Sequence, residues 1–341
     1  MSVITKIIMT SAVMCGLFAA CIFLFNLTST ILGVTGPTLT TISNPIQRKF
    51  DNATVFLPGL TSRLYRQETY GKLMHHHGRH LYTPKKYRVQ RKNLLNHSLK
   101  RICYYTVPKE DWPSLLPDEI DVTLCTHIIV GFARISNLSI SPFKDEDELV
   151  FKNVIQLKDK SPLLKVLLSV GGAGDDKGFR SIIKTEKTSE QFALSSAKYL
   201  KLMGFDGIDI DWEFPAWYAP FEERFLFQIL LREMHKVYKT PMYNLTLSVA
   251  VPASKSIIDR SYRVSQIASY VDFVSMMGYD FHSFHWYLPL TGHNSPLYSH
   301  SEEWPMFSTV NLNWTAFYWI QLGMPREKLV IGLPTYGQTY Q

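Results

Sequence analysis

Between residues 101 and 341 the chain alternates two textures. Short apolar, β-branched runs recur: ICYYTV (102–107), HIIVGFA (127–133), KVLLSV (165–170), GIDIDWE (207–213), LTLSVAV (245–251), DFVSMMGY (272–279) and KLVIGLP (328–334). Runs of this length predict strands. Between most of them lie longer amphipathic stretches, such as EQFALSSAKYLKLMG (190–204) and FEERFLFQILLREMHKVYK (221–239), which predict helices. Strands alternating with helices imply right-handed βαβ units on a parallel sheet. Seven such strands point to an α/β chain folded as a (β/α)8 TIM barrel, with a doubly wound sheet as the alternative.

The first hundred residues have a different pattern. Residues 7–25 carry no charged side chain and follow Lys6. About 20 apolar residues suffice to cross a bilayer. The expectation is a short tail (1–6), a transmembrane signal anchor (7–29) and a stem or linker (30–100) before the domain at 101–341. A cleaved signal peptide is the alternative, since Ser29 to Gly33 would tolerate a cleavage site. The stem is rich in Thr, Pro, Arg, Lys and His and has no sustained period.

Composition, 46% hydrophobic and 19% charged, is that of a globular protein. The net charge of +7 describes a segment, because Lys and Arg crowd between Arg48 and Arg101. A basic stretch could meet nucleic acid or anionic lipid. No aromatic–basic platform accompanies this one, so the reading is a solvated stem with no nucleic-acid partner. Sequons at Asn52, Asn96, Asn137, Asn244 and Asn313 place the C-terminal bulk in the lumen or outside, as in a single-pass type II membrane protein, or one secreted after cleavage. Of the four cysteines, Cys15 and Cys21 sit in the apolar run. Cys103 and Cys125 remain as a possible disulfide in an oxidising compartment. No Cys–His metal spacing occurs, HHHGRH (75–80) reads as exposed stem, and neither metal nor cofactor is expected.

FDGIDIDWEF (205–214) carries the chemistry. Side chains alternate along a strand, so Asp209, Asp211 and Glu213 share one face, and Ile208, Ile210 and Trp212 the other. In a barrel the apolar face meets the outer helices. The acids climb inside toward the C-terminal rim, where such barrels hold their active sites. Like charges about 6–7 Å apart in low dielectric cannot all stay ionised, so a proton is shared. The expectation is that Glu213, the outermost, holds it as a general acid, with Asp211 able to store it and Asp209 biasing Asp211.

This motif, D-x-x-D-x-D-x-E at Asp206, Asp209, Asp211 and Glu213, resembles the signature of glycoside hydrolase family 18, the chitinases and chitinase-like lectins. LLSVGG (167–172) is similar to the family's S-x-G-G, with Ser169, Gly171 and Gly172, and MGYD (277–280) to its M-x-Y-D. CYYT (103–106) and CTHIIVGFA (125–133) resemble strands one and two of animal members, whose cysteines there form a disulfide, which implies Cys103–Cys125. The resemblance implies that Glu213 protonates the glycosidic oxygen, Asp211 orients the substrate's N-acetyl group, and Asp209 supports Asp211. Tyr279 hydrogen-bonds the acetamido carbonyl. Met277, Asp280, Tyr104, Phe132, Phe214, Gly171 and Gly172 line the sugar site, and Asp206 and Ser169 belong to the structural motif. The substrate class implied is chitin or N-acetylglucosamine oligosaccharides. The substrate's own acetamide is the nucleophile, family 18 being a named exception to the two-carboxylate scheme. A catalytically weak or inactive glycan-binding protein is the alternative.

Three departures from the family pattern carry consequences. Ala173 stands where members often place a sugar-stacking Trp, and a second such aromatic would fall near Val107 and Pro108. Phe214 replaces a frequent Tyr. The eighth strand is missing from the sequence pattern after strand seven, which predicts a barrel with two unpaired edges.

Overall fold

A computed structural model describes residues 99–108, 115–175, 177–283, 291–300, 303 and 307–339, and the backbone of 54–58. The strands are β1 (Thr54–Pro58), β2 (Arg101–Thr106), β3 (His127–Ser136), β4 (Ser139–Pro142), β5 (Lys165–Gly171), β6 (Gly207–Asp211), β7 (Thr246–Pro252), β8 (Phe273–Met277) and β9 (Leu329–Gly332). The helices are α1 (Asp147–Lys160), α2 (Lys177–Ile182), α3 (Glu186–Met203), α4 (Glu223–Tyr238), α5 (Lys255–Ser261), α6 (Val264–Ile267) and α7 (Leu312–Gln321).

The sheet has nine strands in the order β2-β1-β9-β8-β7-β6-β5-β3-β4, and β2 also pairs with β3. All but the hairpin strand β4 run parallel. The pairing therefore runs round a ring of parallel strands. The expected gap after β9 is corrected: β1, from the stretch read as stem, pairs with β2 (Phe56 opposite Ile102) and with β9 (Phe56 opposite Gly332). A strand with free N–H and C=O groups on one edge accepts a partner wherever the chain supplies one. The remaining stem and the apolar segment 7–29 lie outside the described residues. Among those described, no helix is long and apolar enough to cross a membrane.

Alternation along the strands sorts the side chains. Ile208, Ile210 and Trp212 join the large core beneath the helices, whereas Ile102, Tyr104, Ile129, Leu167, Phe273 and Val330 pack together as a separate cluster. Trp212 is 1% exposed, stacks on Phe179 of α2 (5.1 Å, 4°) and meets Phe227 of α4 edge-on (5.7 Å). Amphipathic α3 enters on Thr185, whose side chain accepts from the Thr188 N–H. Cys103 and Cys125 are disulfide-bonded, tying β2 to the turn before β3. Asp206 sits at the start of β6, where it accepts from Val166 N–H (2.9 Å) and pairs with Lys158 (3.1 Å) and Lys165 (3.2 Å). Its work is to fix the base of β6 against β5, far along the strand from the other acids.

Candidate active site

The three acids climb out of the barrel interior, each in a different setting. Asp209 is fully buried and accepts three hydroxyl hydrogen bonds, from Tyr104 (2.6 Å), Ser248 (2.7 Å) and Ser169 (3.0 Å). Those donors come from β2, β7 and β5, so Asp209 also ties three strands together. Burial pushes its pKa up, and the hydroxyls pull it back.

Asp211 is 4% exposed, and no donor among the described residues reaches its Oδ1. Burial, then the charges of Glu213 and Asp209, push its pKa well above the carboxylate range. Glu213 is half-buried and is also raised, by burial first and then by Asp280. Burial and mutual repulsion therefore favour one proton held between the pair. Asp211 is the more deeply buried and faces two carboxylates, whereas Glu213 is less covered and has Asp280 nearby.

Gly171 and Gly172 hold this geometry without lining the cleft. Both have positive φ (110° and 89°), and Gly172 N–H donates to the Asp211 carbonyl (2.9 Å). A Cβ on Gly171 would stand 2.2 Å from that carbonyl oxygen. Only glycine allows β5 and β6 to approach so closely at the height of the acids.

Above the acids opens a cleft of about 1090 Å³. Its wall includes Tyr104, Phe132, Ala173, Asp211, Glu213, Phe214, Met277, Tyr279 and Asp280. These nine residues come from five strands, or the turns that directly follow them, that are far apart in sequence. Ala173 offers no ring at its position. The Tyr279 hydroxyl is held protonated, by burial first and then by Asp211. Asp280, at φ 57°, accepts from Gln338 Nε2 (2.8 Å), and its N–H donates to Asn294 Oδ1 (3.0 Å).

Several participants escape a reading of motifs alone. Ser248 lies in an apolar strand and carries no motif of its own, yet it donates to Asp209 Oδ1 (2.7 Å). Tyr262, fully enclosed beside Asp211 and Glu213, and Gln338, which holds Asp280, come from distant segments with no local signature. Among the described residues no cluster of His, Cys, Asp and Glu could hold a metal ion.

Residues 100–341 match glycosyl hydrolases family 18. The chain belongs to this family. It is 35% identical over 256 residues to chitotriosidase-1 of Mus musculus, covering 71% of this chain and 54% of the relative. It is also 35% identical over 252 residues to chitinase-3-like protein 2 of Homo sapiens, covering 71% and 63%. Among solved structures, catalytic domain 2 of the Ostrinia furnacalis Group II chitinase superposes with a TM-score of 0.64 at 33% identity, over 71% of this chain and 65% of that one. Human YKL-39, a pseudo-chitinase with retained chitooligosaccharide binding properties, superposes with a TM-score of 0.63 at 33% identity, over 69% and 66%. The family 18 chain thus spans about half to two thirds of the length of these relatives. Its likeness reaches both a catalytic domain and a pseudo-chitinase.

Proposed function

We propose that this family 18 domain hydrolyses β-1,4-linked N-acetylglucosamine in chitin or chito-oligosaccharides, with retention at the anomeric carbon. The observation that carries the reading is the complete acid ladder, Asp209–Asp211–Glu213, rising into a cleft that Tyr279 also lines. Glu213 gives its proton to the glycosidic oxygen as that bond to the anomeric carbon breaks. The acetamide carbonyl oxygen of the sugar attacks the same carbon and takes the place of a protein nucleophile. Asp211 turns toward the acetamide N–H, and Tyr279 O–H donates to the acetamide oxygen. Water then attacks the anomeric carbon and displaces the acetamide oxygen, restoring the acetamide, and Glu213 takes the water's proton as base.

A second reading, a glycan-binding protein without turnover, is favoured by one feature of the cleft. Ala173 removes a stacking surface from its wall, and YKL-39 is a relative that binds without being an active chitinase.

Turnover of a fluorogenic chitobioside separates the two. The hydrolase reading expects activity that falls about 10²–10⁴-fold in Glu213→Gln, with chito-oligosaccharide binding retained. Wild-type turnover equal to that of Glu213→Gln, alongside measurable binding, would establish the lectin instead.

A further inference from the structure

The backbone that follows Glu213 is held in an unfavourable shape by charged groups outside the cleft. Ala216 lies in the left-handed region (φ 59°) and is fully buried. That conformation is unfavourable for any residue with a Cβ, so it persists only where its surroundings impose it. Here they do so on both sides of one residue. Ala216 N–H donates to Glu223 Oε2 (2.9 Å), and its carbonyl accepts from Arg260 Nε (2.6 Å). Arg260 also donates to the Ala219 carbonyl (3.1 Å). The second oxygen of Glu223 accepts from Arg180 Nε (2.9 Å).

Glu223 is 6% exposed, and the strong hydrogen bonds of a buried carboxylate to N–H groups are directional. Arg180, Glu223 and Arg260 stand on α2, α4 and α5, the helices that follow β5, β6 and β7. The bracket therefore links three successive loops around the carboxyl that must meet a glycosidic oxygen. Misplacing such a group by about 1 Å costs on the order of 10²-fold in rate.

We infer that Glu223 and Arg260 are positioning residues for Glu213: they clamp the turn at Ala216 and thereby aim the acid into the cleft. The inference rests on the hydrolase reading for its rate consequence, but not for its structural one. In the full chain, Glu223→Ala is expected to lower kcat about 10–100-fold with KM nearly unchanged, and Arg260→Ala to act in the same direction. Glu223→Gln keeps an acceptor for Ala216 N–H and should retain most of the rate. Adding Ala216→Gly to Glu223→Ala should recover part of kcat, because glycine takes this φ without strain.

A readout free of activity comes from NMR titration of the Glu213 carboxyl, assigned by its loss in Glu213→Gln. Releasing the turn lets water reach the group, so its titration should move toward lower pH in Glu223→Ala. An unchanged titration, or a fall in thermal stability with kcat and its pH profile intact, overturns the bracket. A wild type that turns over no chitobioside overturns the hydrolase reading alone, and the titration still decides the inference.

Discussion

At the scale of single residues, protonation is set by how deep each acid sits. Asp211 and Glu213 bind their shared proton more tightly folded than unfolded, where carboxyls titrate near 3.8 and 4.5. Stability should therefore fall as pH rises from those values through the raised ones. Glu213→Gln removes one crowded carboxyl, so its Tm should decline less than that of the wild type as pH rises above the ordinary carboxylate range, read by scanning calorimetry. Asp280→Asn removes the charge that, after burial, helps Glu213 keep its proton. Residual turnover should then lose its alkaline limb at a lower pH than in the wild type, and an unmoved limb would deny the coupling. Ala173→Trp tests the missing platform: an added ring contributes about 1 kcal/mol, or roughly fivefold tighter chito-oligosaccharide binding by calorimetry.

Elements owe their places to the alternation in GIDIDWE. The same five residues of β6 send acids inward and isoleucines outward, and Trp212 continues the outer row. Trp212 lies between Asp211 and Glu213 in sequence yet packs on α2 and α4. Trp212→Ala should cost about 3–5 kcal/mol in urea denaturation and, by loosening β6, reduce turnover as well. A loss below about 1 kcal/mol would mean that the helices hold β6 without it. Motif reading found the long helices because their apolar faces have a clear period. The short α2, α5 and α6 have too few turns to show one, yet α2 and α5 carry Arg180 and Arg260.

The whole molecule closes through β1, a segment with no periodic signal of its own. Its five residues supply the parallel partner that β2 and β9 otherwise lack. Val55→Pro removes a backbone donor from that strand. It should cost about 1–3 kcal/mol and raise amide exchange in β2 and β9 specifically. Unchanged exchange there would show that the ring holds without β1.

The sequence by itself determined the alternating strands and helices, the inward face of Asp209, Asp211 and Glu213, and the Cys103–Cys125 pairing implied by family resemblance. These are local or periodic facts, written in the spacing of residues a few positions apart. Only the tertiary structure decided how deeply Asp209 and Asp211 are covered, what closes the ring between β2 and β9, and what holds the turn after Glu213. Each of those depends on burial, or on partners from segments tens of residues away, and no pattern along the chain encodes how deeply a carboxyl is covered or which distant arginine will reach a carbonyl.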